Sequence, residues 1–211
     1  MGHFIAATIF LSTLPYHTVS INKQPHKIYI TIDDHPNKTT PKFLALLKKC
    51  KLKATFFIIG YPEHALQKYP TYPNRKLRLL HTYLLQIHRR GHQIGNHGIT
   101  HRELCNLPLR EIRWELGKNQ RMLFKALGGK IVQYWRPPNT TECRKSFSVA
   151  KRLHLKIVRV DVSDYRSNAK YMWKKLLRRH RKHGKRESIV LFHNNLKKFK
   201  NFLKISHLCS F

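Results

Sequence analysis

Two aspartates stand side by side at positions 33 and 34, and two histidines stand four residues apart at 97 and 101. Asp34, His97 and His101 make a set of one carboxylate and two imidazoles. Such a set holds a divalent ion and leaves coordination positions open for water and substrate. The four-residue spacing lets one helical turn or a tight loop aim both rings at one ion. Neighbouring side chains at a strand end point in different directions, so one carboxylate can bind while the other stays free as a base. Asp33-Asp34-His35-Pro36-Asn37 also reads as a turn. That reading accounts for the residue types but not for the partners further along the chain.

Arg136 lies in Trp135-Arg136-Pro137-Pro138, a rigid segment that fixes the direction of its guanidinium. Beside a base, arginine keeps a carboxylate ionised and oriented through a bidentate contact. His193 closes the apolar run Ile189-Val190-Leu191-Phe192. A histidine at a buried strand end can hand a proton to a leaving amine. Taken singly, Arg136 is one more surface arginine and His193 a satisfied core histidine. Their meaning depends on where the elements put them.

The chain alternates short apolar runs with longer amphipathic ones. Strands are predicted at Lys27–Ile32, Ala54–Ile59, His92–Gly95, Ile131–Trp135, Lys156–Val160 and Ser188–Phe192. Between them lie helices: one with Thr40 as N-cap, Pro41 at its first position and a body from Phe43 to Cys50, then Leu77–Arg90, Leu109–Leu127, Lys145–His154, and one capped by Asn168 that stops before Gly184. This alternation argues for a parallel sheet with helical crossovers, open or closed into a barrel. In such folds the site sits at the carboxyl ends of the strands. Those ends carry Asp33-Asp34, Asn96-His97, Arg136, Asp161 and His193.

The chain has 211 residues, no internal repeat and 41% hydrophobic content, which suits one globular domain with a real core. Lys and Arg number 42 against 10 acidic residues, a formal charge of +32 spread along the whole chain. Such a balance favours an anionic polymer or surface, or reflects a compositional bias of the source genome. No helix-turn-helix, zinc-finger or RNA-recognition motif accompanies it. Cys50, Cys105, Cys143 and Cys209 form no CxxC pair, which argues against a structural zinc site and leaves up to two disulfides or four thiols. The apolar run from His3 to Leu11 is too short to span a bilayer. With no basic residues before it and no clean cleavage site after it, it reads as a weak signal-peptide core or a packing segment. No other segment reads as transmembrane.

Five stations in order resemble the polysaccharide deacetylase family (carbohydrate esterase family 4, the NodB-homology domain). Thr31-Ile32-Asp33-Asp34-His35-Pro36 is similar to T-F-D-D-G-P, and Gly95 to His101 to G-N-H-[ST]-x-x-H. Arg136-Pro137-Pro138-Asn139 resembles R-x-P-Y, Asp161 to Tyr165 resembles D-x-x-D-W, and Leu191-Phe192-His193 resembles L-x-H. The similarity runs from about Lys27 to Asn194. It implies an α/β fold, a distorted (β/α) barrel, spanning residues 25–195; the short basic stretch after Asn195 lacks an obvious last strand, which points to a barrel incomplete at its C-terminus. An N-terminal segment (1–24) would precede it and a short basic tail (196–211) follow it. It further implies a divalent metal, zinc first and cobalt, nickel or manganese as alternatives, held by Asp34, His97 and His101. Asp33 would be the general base, oriented by Arg136, and His193 the acid, tuned by Asp164. A backbone N–H near Asn139 would stabilise the oxyanion, and Tyr165 and Leu191 would line the acetyl pocket. The implied substrate is an N-acetylated glycan such as chitin, a chitooligosaccharide or peptidoglycan, which points to a secreted or cell-envelope protein.

The sequence departs from the family pattern in places. His35 replaces a glycine beside the metal ligand, where a side chain would crowd the site, add an imidazole, or bear the steric cost of a positive φ. Gly98 replaces a Ser/Thr whose hydroxyl would help hold the histidine loop. Asn139-Thr140 replaces Tyr-Gly, Tyr165 stands for Trp, and an insertion lies around Tyr69–Arg75. Three readings follow: an N-deacetylase, a relative that binds glycan without turnover, and a basic polyanion binder.

Overall fold

The computed structural model describes residues 14–21, 24–60, 74–184 and 186–211. Strand β1 (His17–Ile21) pairs antiparallel with β2 (Gln24–His35). After β2 come α1 (Thr40–Lys49), β3 (Thr55–Ile58), α2 (Asn74–Arg89), β4 (Gln93–Asn96) and α3 (Leu109–Ala126). Then follow β5 (Tyr134–Trp135), α4 (Arg144–Arg152), β6 (Lys156–Ile157), β7 (Val162–Ser163), α5 (Ala169–His183), β8 (Glu187–Phe192) and α6 (Leu196–Ile205). The sheet order is β6-β5-β4-β3-β2-β8-β7, all pairs parallel, with β1 attached to β2. The sheet curls into an incomplete barrel: among the described residues, β6 and β7 share no ladder.

Strand periodicity decides which residues reach the barrel interior. In β2, Ile28, Ile30 and Ile32 face outward into the main core with Phe43, Leu44 and Leu47 of α1. The odd positions face inward, where Tyr29 packs with Phe57, Tyr134, Val158 and Ile189. In β8, Val190 and Phe192 join the outer core while Ile189 lies inside, and the register pairs Tyr29 with Ile189 and Thr31 with Leu191. Thr31, Asp33 and Leu191 therefore continue the inner face toward the carboxyl rim.

Several boundaries differ from the sequence expectation. The N-cap of α1 is Thr39, not Thr40; Thr40 is buried and its hydroxyl accepts from the Asn37 N–H. The expected fifth strand is split: Val158 to Asp161 leaves the ladder, and β7 forms beyond it. The caps of α5 hold, with Asn168 Oδ1 accepting from the Tyr171 N–H at 2.8 Å and Gly184 left-handed at φ 58°. Part of the expected N-terminal segment is β1; residues 1–13, including the His3–Leu11 run, lie outside the described residues. So does most of the expected insertion at Tyr69–Arg75.

Residues 196–211 are not a tail outside the domain. They form α6, whose Phe199, Phe202 and Leu203 are fully buried. Phe199 packs against Phe192 at 4.8 Å between ring centroids and against Phe43 at 5.2 Å. The basic residues of this helix hid an apolar stripe at helical spacing. Cys209, just beyond it, forms a disulfide with Cys50 at the end of α1; Cys105 and Cys143 are free thiols. Among the described residues, no helix is long and apolar enough to cross a membrane.

Candidate active site

Arg136 follows β5 and is completely buried inside the barrel. Its guanidinium lies over the Phe57 ring, 4.3 Å from the centroid. Nη1 donates to Asp33 Oδ1 at 2.7 Å and to Thr31 Oγ1 at 2.9 Å. Nε donates to Val158 O at 2.9 Å and Nη2 to Arg159 O at 3.5 Å. The contact with Asp33 is through one oxygen, not the bidentate pairing expected, because the remaining donors face the carbonyls where the ladder is open. Burial lowers the Arg136 pKa and the Asp33 carboxylate opposes that shift. The hydrogen bond from the guanidinium goes to Oδ1, and Asp33 Oδ2 lies 3.6 Å from His97 Nε2.

Strict alternation would send Asp34 to the outer face. Instead the β2–β3 register shifts between Ile32 and His35, and Asp34 adopts φ 62°. This irregularity turns both carboxylates toward the same rim. Asp34 Oδ1 lies 3.5 Å from His97 Nε2 and 3.3 Å from His101 Nε2. The three side chains offer ligand atoms within 4.8 Å of one another. His97 Nδ1 donates to Arg136 O at 2.8 Å, and since a carbonyl only accepts, Nε2 is the ring nitrogen turned toward Asp34, where it serves as a metal ligand when the ring is neutral. Asp34 Oδ1 is buried without a hydrogen-bond partner. Burial works against ionisation of Asp34, but the His101 and His97 imidazoles outweigh it and hold the carboxyl far below its usual range. Burial likewise disfavours charge on His97, yet Asp33 and Asp34 raise its pKa. An orphaned carboxylate oxygen facing two imidazole nitrogens is a cluster short of positive charge, which is the condition a divalent cation meets.

The loop carrying the two histidines is held by residues the motif reading passed over. Asn96 Oδ1 accepts from the Gly98 N–H, and the Glu115 carboxylate of α3 accepts from the N–H groups of Ile99 and Thr100, each at 2.9 Å. Glu115 also takes the Thr100 hydroxyl. These contacts replace whatever a hydroxyl at position 98 would supply. Gly98 has φ 78°, and a Cβ there would sit 3.2 Å from Glu115 Oε2, so this loop is built for glycine. A lone Glu on a helix has no sequence signature of such a role; only its full burial reveals it.

His35 does not crowd the site. It has no positive φ, which falls on Asp34 instead. Its ring turns into the outer core, edge-on to Phe43 and Phe56, with Nδ1 2.8 Å from Thr40 Oγ1. Burial pushes its pKa down to about 3, so it stays a neutral packing group.

Across the rim, His193 Nδ1 meets Asp164 Oδ1 at 2.6 Å, and the His193 N–H donates to Oδ2 at 3.1 Å. Burial disfavours the charged imidazole, but the Asp164 hydrogen bond and charge raise the His193 pKa above its ordinary value. Asp33, Asp34, His97, His101, Asn139, Tyr165, Leu191 and His193 all line one cavity of about 610 Å³. Leu191 is a buried wall, whereas Tyr165 is 66% exposed and stands at the mouth. Asn139 and Thr140 turn the loop with φ 56° and 57°. Asp34, His101 and Asn139 thus all hold left-handed backbone, a cost of about 1–3 kcal/mol each that Asp, His and Asn bear at the low end. Asp161 borders the cavity but is tied down: it pairs with Arg179 and accepts from the Ile189 N–H.

A family model described as polysaccharide deacetylase matches residues 20–158. The chain is 34% identical over 113 residues to the peptidoglycan-N-acetylglucosamine deacetylase of Bacillus cereus, covering 53% of this chain and 36% of that protein. It superposes on a family 4 carbohydrate esterase from Streptomyces lividans with a TM-score of 0.67 at 20% identity, covering 90% of this chain and 93% of that one. BA3943, a family 4 pseudoenzyme from Bacillus anthracis, matches with a TM-score of 0.66 at 23% identity, covering 86% and 61%. At these identities the structural likeness is one of fold. The chain spans less than half the length of the first curated relatives it matches, 36%, 45% and 44%.

Glu115 touches no ligand atom, yet it fixes the loop between His97 and His101. Glu115→Gln is expected to weaken zinc binding about 10–100-fold in a chelator competition. Unchanged affinity would show that the loop holds its shape without the carboxylate.

Proposed function

The chain belongs to the polysaccharide deacetylase family, and from that premise we propose that it hydrolyses N-acetyl groups on an amino-sugar polymer or oligomer, releasing acetate. One observation carries this reading. Two adjacent carboxylates share a rim but differ in partner, Asp33 on Arg136 and Asp34 on two imidazoles, with a histidine–aspartate pair facing the same cavity.

Asp34, His97 and His101 fit a divalent ion, zinc by ligand type, with cobalt, nickel or manganese as alternatives. When bound, such an ion supplies Lewis acidity for water and for the acetamide carbonyl. Arg136 holds Asp33 in place through Oδ1, which leaves Oδ2 to take the proton from the attacking water. The water oxygen bonds to the acetyl carbon, and the backbone N–H near Asn139 donates to the oxyanion that develops. As the carbon–nitrogen bond breaks, His193 delivers its proton to the departing amine while Asp164 holds the ring and its charge. Leu191 and Tyr165 bound the space for the acetyl methyl.

Chitin, chitooligosaccharide and peptidoglycan all present the required acetamide. Action outside the cytoplasm fits such polymers, and the Cys50–Cys209 disulfide is the kind of bond an oxidising compartment preserves. Against the binding-only reading we set the local structure. His35 leaves the site, and Gly98 sits in a loop supported by Asn96 and Glu115.

After chelation, acetate release from chitopentaose is expected to vanish and to return with zinc. Asp33→Asn should abolish release while retaining one zinc per chain; full activity in that variant would overturn the assignment of the base. A second expectation concerns pH. His193 must be protonated to act, and its pKa is raised mainly against burial by Asp164, so activity falls as pH rises through that raised value. Asp164→Asn removes the raising influence and should move the alkaline limb of kcat to lower pH. A limb that stays in place would mean another group sets it.

A further inference from the structure

We propose that Lys175 makes this cavity selective for N-acetylated sugars that carry a carboxylate over neutral amino-sugar polymers. The inference rests on the deacetylase reading and deepens it by naming the substrate class.

Three acids, Asp33, Asp34 and Asp161, line the cavity, and a fourth, Asp164, holds His193; Asp34 belongs to the proposed metal set and each of the others has a partner in the protein. Asp33 has Arg136, Asp34 faces His97 and His101, and Asp164 engages His193 through both oxygens. Asp161 is matched on both oxygens by Arg179 and the Ile189 N–H. Lys175 is the cation left over. It lies on α5, is half-buried, and lines the same cavity as Asp33, Asp34, His97 and His193. Among the described residues, its ammonium has no hydrogen bond, ion pair or ring contact.

An ammonium at a cavity wall with no partner in the protein gains most from an anion that enters the cavity. A neutral chitooligosaccharide brings only hydroxyl and amide groups. A carboxylate brings a charge-assisted partner, and inside a cavity that contact is stronger than in open water. A single ammonium, with no second lysine or arginine in the cavity wall among the described residues, matches a monoanion better than a phosphate dianion. The mouth adds a favourable field: Arg166 stands over the exposed Tyr165 ring at 5.2 Å. Lys198, a neighbour of the His193–Asp164 pair, is engaged with Asp164 O at 2.9 Å. The carboxylate can belong to a lactyl ether on the acetylated sugar or to a neighbouring hexuronate. The shared chemistry is an acid placed beside an acetamide.

General attraction of polyanions by a +32 chain must be separated from this local contact. Lys170 provides the control, since it is an exposed lysine on the same helix outside the cavity lining. The test is calorimetric binding to the zinc-loaded full chain at physiological salt. The probes are chitotetraose, a hyaluronan tetrasaccharide and a muramic-acid-containing tetrasaccharide. At least one acidic oligomer is expected to bind about tenfold more tightly than chitotetraose, and the better of the two identifies the source of the carboxylate. Lys175→Gln should remove that preference, Lys175→Arg should keep most of it, and Lys170→Gln should leave it intact. Circular dichroism of each variant checks the fold, and the arginine variant keeps the test valid should the glutamine variant unfold. Equal binding of neutral and acidic oligomers, no binding of the acidic ones, a preference that survives Lys175→Gln, or equal loss in Lys170→Gln would each overturn the proposal. Binding requires no turnover. Failure to release acetate from any oligomer would count against the deacetylase reading alone.

Discussion

The buried Arg136–Asp33 ion pair is the constraint on which the site depends. Burying a guanidinium is unfavourable by several kcal/mol unless its donors are met. Here they are met by a carboxylate, a threonine hydroxyl and two backbone carbonyls, with an aromatic face against the guanidinium. The carbonyls come from Val158 and Arg159, in the stretch between β6 and β7 where no ladder forms among the described residues. One side chain therefore compensates an incomplete barrel and orients the proposed base. The Arg136 backbone adds a third link, because its carbonyl fixes the His97 tautomer.

The same rim shows how one strand end presents two carboxylates for different purposes. Regular alternation would place Asp33 inside and Asp34 outside. The register shift and the left-handed Asp34 bring the second carboxylate back, and His35 then resumes the outer face in contact with Phe43 and Phe56. The substitution of histidine for glycine in the motif is accommodated because that position packs into the core. The tight geometry falls one residue earlier, on an aspartate, a residue type that enters left-handed conformation more readily than most.

Much of this was readable in the sequence. The alternation of apolar runs placed the parallel strands, and the residues just beyond them, Asp33, Asp34, His97, Arg136 and His193, do converge on one cavity rim or its floor. Local patterns could not show how the loops are braced. Glu115 looks like any helical acid, and Thr31 like any strand threonine, until burial and partners are known. The α6 helix was misread because lysines at Lys197, Lys198, Lys200 and Lys204 masked the apolar spacing of Phe199, Phe202 and Leu203. Spacing alone could not pair Cys50 with Cys209, since they come together only when α6 packs beside α1.

In the proposed mechanism two adjacent carboxylates are divided between a metal and a base. Zinc K-edge X-ray absorption of the loaded protein tests it most directly. The expected spectrum shows two imidazole nitrogens with oxygen donors and no sulfur, a pattern that Asp33→Asn leaves unchanged and Asp34→Asn alters. A third imidazole in the coordination shell, or a spectrum that responds to Asp33→Asn and not to Asp34→Asn, would contradict it.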